Sequence, residues 1–139
     1  MLRLLIAAIA TVCLSSSACQ AQHFTADPIV VDMIDPGPAY SFHYAYADIE
    51  LKNVPAGLHV LRFINRADVD MDVIVPLPLP YMPPLAPWSD YPFGGIGTQS
   101  HEILILNYER ADAMFMVEFL DIFGRRLDTA TVICRVRNR

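Results

Sequence analysis

Residues 57–75 read Gly-Leu-His-Val-Leu-Arg-Phe-Ile-Asn-Arg-Ala-Asp-Val-Asp-Met-Asp-Val-Ile-Val, and the spacing of their apolar side chains limits the fold more than any other stretch. In the second half, Val69, Met71, Val73 and Val75 alternate with Asp68, Asp70 and Asp72. A period of two puts one set on each face of a strand, one dry and one wet. In the first half, Leu58, Val60 and Ile64 share one face and Leu61 and Phe63 the other, the pattern of a strand covered on both sides. The first run is therefore expected to be a central strand, with the second paired antiparallel to it across a polar turn.

The rest of the chain follows the same grammar. Ile29, Val30 and Val31 follow Pro28 and stop at Asp32, ahead of the Asp35-Pro36-Gly37-Pro38 cluster, which suits at most an edge strand. Residues 40–51 place Tyr40, Phe42, Tyr44 and Tyr46 on one face and Ile49 and Leu51 on the other. That switch of phase near Ala47 predicts a bulge or a strand changing sheets. Residues 52–57 read as a turn into the central strand. Residues 76–99 carry so many prolines that neither a helix nor an interior strand can form, because the backbone donors are missing. An extended loop bearing Tyr81, Trp88, Tyr91 and Phe93 is expected there.

Residues 101–108, 114–123 and 127–137 are strand-like again. Leu104, Leu106 and Tyr108 are in phase, as are Phe115, Val117, Phe119 and Phe123, and residues 123–126 form the hairpin between the last two. No stretch has a helical period and no internal repeat is present. Roughly seven short strands in one domain over residues 22–139 predict an all-β antiparallel β-sandwich, immunoglobulin-like or cupredoxin-like.

The N-terminal residues obey different rules. Arg3 precedes an apolar run over residues 4–14, and Ser15, Ser16, Ser17, Ala18, Cys19, Gln20 and Ala21 follow it. Charge, apolar run and small residues in that order make residues 1–21 a cleaved secretory signal peptide, too short to span a bilayer comfortably. Export, periplasmic or extracellular, is the expectation, with cleavage after Ala18 or Ala21. The residues ending at Cys19 resemble the close of a bacterial lipoprotein signal, with Ser16 where that pattern usually has Leu. The resemblance implies lipidation of Cys19, which would tether the domain to a membrane; without it no membrane contact is expected.

Of three cysteines, Cys13 lies in the leader and Cys19 at its end, so Cys134 is alone and no disulfide framework follows. Its phase with Ala130, Val132 and Val136 marks it as a buried small hydrophobe rather than a reactive thiol. Losing Arg3 leaves nine of the ten basic side chains against fifteen acidic ones, which disfavours nucleic acid as a partner. Arg125, Arg126, Arg135, Arg137 and Arg139 crowd the C-terminal end. They could suit an anionic surface, although such arginines are more often simply solvated.

Motifs that carry chemistry are sparse. Asp68, Asp70 and Asp72 open like a calcium loop, but Val73 and Leu79 stand where glycine and glutamate are required. A weak surface calcium site is all that reading retains. Residues 54–65, Val-Pro-Ala-Gly-Leu-His-Val-Leu-Arg-Phe-Ile-Asn, are similar to the turn, strand and asparagine of cupredoxins, a family that binds copper through two histidines, a cysteine and often a methionine. No histidine follows Asn65 until His101, and none follows Cys134, so a blue-copper centre is excluded. A softer copper site would need Met71, Met82, Met114 and Met116 with His59 or His101, residues that equally suit a core. Ser41 near His43, Ser89 beside Asp90, and Ser100 beside His101 lack the setting of an activated nucleophile.

No cofactor and no catalysis are expected from these residues. The sequence reads as an exported, non-catalytic binding or interaction module that meets a protein or the cell-envelope surface. Tyr81, Trp88, Tyr91 and Phe93 are its expected binding surface, against the rival that they form a lid on the core. The alternative function is a metal-handling protein, for copper or calcium, of cupredoxin-like fold.

Overall fold

The structure, a computed structural model, describes residues 22–66, 68–77 and 82–137. The leader with Cys19, and Tyr81, lie outside them. Among the described residues, six strands form one hydrogen-bonded ladder: β1 (Ile29–Met33), β2 (His43–Ile64), β3 (Met71–Ile74), β4 (Tyr91–Asn107), β5 (Ala113–Asp121) and β6 (Arg126–Val136). Their spatial order is β1-β6-β5-β2-β4-β3.

Two long strands turn this ladder into a sandwich. β2 and β4 pair antiparallel from His43 opposite Asn107 to Leu61 opposite Tyr91, and the register shifts twice between Leu51 and Gly57. At those shifts Asn53, Gly57, Gly95 and Gly97 have positive φ, a conformation that is cheap for glycine and tolerable for asparagine. The hairpin folds over there. The first half of β2, the second half of β4 and β3 make one layer; the second half of β2 with β5, β6 and β1 makes the other. Beyond β1, Ile34 exchanges backbone hydrogen bonds with Tyr44 at 2.7 and 3.0 Å, bringing the outer strand back against the first layer.

The core fills the space between. Ala45, Ile49 and Leu51 of β2 point inward, followed after the shift by Val54, Leu61 and Phe63. They meet Met71 and Val73, Ile103 and Ile105, Phe115, Val117 and Phe119, and Ala130, Val132 and Cys134. Burial pushes the Cys134 thiol up to about 12, so it is held protonated at neutral pH.

The all-β sandwich is the observed fold, with several local departures. β3 pairs with β4, Met71 opposite Asn107, and not with β2. Residues 52–57 remain within β2 as bulged strand rather than a separate turn. The strand is central, with β4 and β5 on its two sides, but its outer face is open at Leu58. The phase does not switch at Ala47: the odd-numbered residues face inward from His43 to Leu51, and the break comes after Leu51. β1 runs parallel to β6, Ile29 opposite Val132, so the ladder is not wholly antiparallel. Finally, the loop ends at Asp90, because Tyr91 begins β4. Pro92 is accommodated there because β3 covers only Leu104 to Asn107 and leaves this part of β4 with a free edge.

Candidate functional site

With the odd-numbered residues of β2 in the core, Tyr44 and Tyr46 must point outward. Leu106 lies opposite Tyr44 and Leu104 opposite Tyr46, and β3 adds Asp72 and Ile74 in the same rows. Tyr40 and Phe42 continue the surface. Phe42 meets Tyr40 edge-on at 5.7 Å between ring centroids and Tyr108 at 6.1 Å. Tyr44 and Tyr46 are 6.4 Å apart. The result is an open concavity of about 440 Å³ floored by Leu104 and Leu106 and walled by Pro36 and the four aromatics. Tyr46 is 59% and Tyr40 51% exposed.

Polar groups rim this face. The Tyr108 hydroxyl donates to Asp72 Oδ2 at 3.1 Å, and burial, then the Asp72 carboxylate, raise the phenol above its ordinary range. Arg110 Nη2 donates to the Tyr40 carbonyl at 3.0 Å. Toward the fold-over, Asp48 stands opposite Glu102. Aromatic side chains with few rotatable bonds on a sheet make a stiff, mostly apolar platform, which can pack against a partner with little loss of entropy. Its chemistry is that of contact.

The aromatics expected to form the binding surface are placed differently. Trp88 is half-buried: its ring stands edge-on to Phe115 at 5.8 Å and Nε1 donates to the Met71 carbonyl at 3.1 Å. Its backbone N–H bonds the Val73 carbonyl and that of Leu85 bonds Val75, both at 3.0 Å. The loop thereby covers the outer edge of β3, which would otherwise offer unpaired carbonyls to another strand. Phe93 is buried, 5.9 Å from both Phe119 and Tyr91, and Tyr91 is half-buried. These three contribute to the core and its border, the geometry of the lid reading. Tyr81 lies outside the described residues.

An inward histidine cluster surrounds the same phenylalanines. His59 lies 5.0 Å from Phe119, His23 also 5.0 Å from Phe119, and His101 4.5 Å from Phe93. His101 Nε2 is 2.9 Å from Gln99 Oε1 and Nδ1 is 3.3 Å from the Tyr91 hydroxyl. Desolvation lowers its pKa, favouring the neutral ring.

Among the described residues no group of three or more histidine, cysteine, aspartate or glutamate side chains has the spacing to hold a metal. The methionines weighed for copper are dispersed: Met71 is in the core, whereas Met82 and Met114 are exposed. The serine pairs are separated too. His43 is buried while Ser41 is exposed, Ser100 is exposed while His101 turns inward, and Asp90 is held by Arg62 at 2.9 Å.

No family model matches the chain, and no curated protein matches it in sequence. Three solved chains match in fold. One is the ASH / PapD-like domain of human CEP192 (PapD-like domain 7), at 10% identity and a TM-score of 0.40, covering 81% of this chain and 83% of that one. Another is CfaE, the adhesive subunit of the CFA/I fimbria of enterotoxigenic Escherichia coli, at 9% identity and a TM-score of 0.45, where the match covers 86% of this chain and 49% of that one.

Proposed function

We propose that this chain is an exported, non-catalytic binding module that engages a protein partner at the cell envelope or outside the cell through the outer aromatic face of β2 and β4. The observation that carries this reading is the row of Tyr40, Phe42, Tyr44 and Tyr46 directed away from a core that is complete without them. Solvent-facing positions of a sheet ordinarily hold polar side chains, and a contiguous aromatic patch kept in water marks a surface that is covered in use. Tyrosine suits such a face, since its ring gives apolar area and its hydroxyl retains hydrogen bonding. Export is supported by the order of charge, apolar run and small residues before Gln22.

The test compares capture from an envelope extract by wild type and by Tyr44→Ala/Tyr46→Ala. The double substitution removes outward side chains, so the melting temperature should change by only a few degrees. Capture should fall at least about tenfold. Undiminished capture by a folded variant would dismiss the face as the binding site.

A further inference from the structure

The layer that carries the aromatic platform is acidic on the same outer face. Along β2 the outward residues that follow Tyr44 and Tyr46 are Asp48 and Glu50, and across the ladder Glu102 stands opposite Asp48. Asp72 of β3 shares the row of Leu106 and Tyr44. Asp48, Glu50 and Glu102 are exposed and Asp72 is half-buried. Where the face ends at Tyr108, Asp70 and Glu109 add further charge, the Asp70 N–H donating to Glu109 Oε1 at 3.1 Å. Burial first, then Asp72 and the charge of Asp70, raise the Tyr108 phenol. Asp35 stands beside Pro36 and accepts the Gly37 N–H at 2.9 Å.

Few cations offset these groups. Arg110 lies at the Tyr40 end, donating to the Tyr40 carbonyl, and Lys52 is the next outward residue of β2 after Glu50. Asp68 and Arg66, both exposed in the loop before β3, cancel each other. The face therefore keeps a clear excess of negative charge. Among the described residues none of Asp48, Glu50, Asp72 and Glu102 is in an ion pair; Glu50 accepts from the Thr25 hydroxyl and Asp72 from that of Tyr108, both neutral donors. The other layer is arranged differently. There Glu118 lies 3.6 Å from Arg126, and Asp32 is shared by Arg135 at 3.1 Å and Arg137 at 3.3 Å.

Asp48 opposite Glu102 is a like-charge pair across an antiparallel ladder, which destabilises the sheet that carries it. The core, on the opposite side of these strands, gains nothing from it. A cost of this kind is expected of a surface built to meet opposite charge. Strand geometry sets Tyr46 and Asp48 about 7 Å apart on one face, and Glu102, diagonal to Tyr46, at about 7–8 Å. A planar guanidinium lying on the Tyr46 ring is within reach of both carboxylates, and arginine is the side chain that stacks on an aromatic ring and bonds a carboxylate at once. A metal ion fits less well, since among the described residues no group of acidic or histidine side chains has the spacing to hold one.

We infer that the partner presents an arginine-rich segment to the aromatic face, its guanidinium groups stacked on Tyr44 and Tyr46 and paired with Asp48 and Glu102. This inference rests on the proposed use of that face for binding and adds the chemistry of what binds. Apolar contact with Leu104 and Leu106 then comes from the methylene stems of the same arginines.

The experiment uses the full chain as recovered from cells and a fluorescein-labelled peptide of alternating arginine and serine, with a peptide carrying glutamate for arginine as its control. Wild type should bind the arginine peptide and not the glutamate peptide. Asp48→Asn/Glu102→Gln should weaken that binding at least about tenfold, with a melting temperature unchanged or raised because the opposed charges are gone. Asp32→Asn/Glu118→Gln removes the same charge from the other layer, breaks only surface pairs of small energy, and should bind as wild type. Equal losses in the two double variants would reduce the effect to net charge and overturn the inference, as would a wild type that does not bind the arginine peptide. Dimerisation without peptide, abolished by Asp48→Asn/Glu102→Gln, overturns it too, since the arginines of a second copy would then cover the face. Capture from the envelope extract separates this inference from the reading beneath it. If Tyr44→Ala/Tyr46→Ala loses capture and Asp48→Asn/Glu102→Gln keeps it, the face binds a partner of another chemistry and only the arginine-rich segment is overturned; if the tyrosine variant keeps capture, both fall.

Discussion

At the scale of single residues, Trp88 is the position where an aromatic in a proline-rich loop proves to be part of the core border. Its φ of 61° lies in the left-handed region, uncommon for a bulky side chain and sustained only by strong local contacts. Those contacts are the ring on Phe115 and the Nε1–H bond to Met71. Trp88→Ala removes both and leaves the β3 edge poorly covered, so about 3 kcal/mol of stability should be lost. Denaturant unfolding measures it. A loss within the range of ordinary surface substitutions would return Trp88 to the list of exposed binding residues. Asn107 is another residue of this kind: wholly buried, it donates to the Ala111 carbonyl at 2.8 Å and accepts from Glu109 N–H at 3.0 Å. Its alternation with Ile103 and Ile105 made it inward-facing; the turn after β4 supplied its partners.

The decisive element is the folded-over hairpin. A strand as long as β2, 22 residues, cannot remain flat around a small core, and the two register shifts let it serve both layers. Gly57 has a φ of +123° and open space around the position of a Cβ, so any cost of a side chain there comes from the backbone and not from a clash. Gly57→Ala should destabilise the protein by about 2 kcal/mol, a shift in melting temperature of roughly 8 °C. An unchanged melting temperature would show that the bend relaxes without glycine. From sequence, residues 52–57 looked like a turn because Asn53, Pro55 and Gly57 are turn formers; here the same preferences bend a strand that keeps its partners.

For the molecule as a whole, the arrangement separates two surfaces. The aromatic platform lies on the layer made by the first half of β2, the second half of β4 and β3, and the exposed Leu58, Ile96 and Phe123 form an apolar pole at the fold-over. Groups set apart in this way, with no shared partners, act additively. Ile96→Asp/Phe123→Asp should therefore retain wild-type partner capture from an envelope extract, since neither residue lines the aromatic platform. A loss of capture in that variant would show that the pole is part of the same binding surface.

The alternation of residues 69–75 and 114–119 was enough to establish strands, and the phase of Cys134 with Ala130 and Val132 was enough to bury it, because period-two burial is a local property of extended chain. The turn between β5 and β6 was legible for the same reason. Alternation defines two faces without saying which of them another layer will cover. Residues 40–47 carry aromatics on one face and Ala45 and Ala47 on the other, which from sequence implied a switch of phase near Ala47; in the structure the small residues face inward, in phase with Ile49 and Leu51. Strand partners were also beyond local pattern: β3 follows β2 in the chain but pairs with β4, because the fold-over returns the second half of β4 to its side. The clustering of Leu58, Ile96 and Phe123, 65 residues apart in sequence from first to last, exists only once the hairpin has bent and the β5–β6 turn has packed beside it.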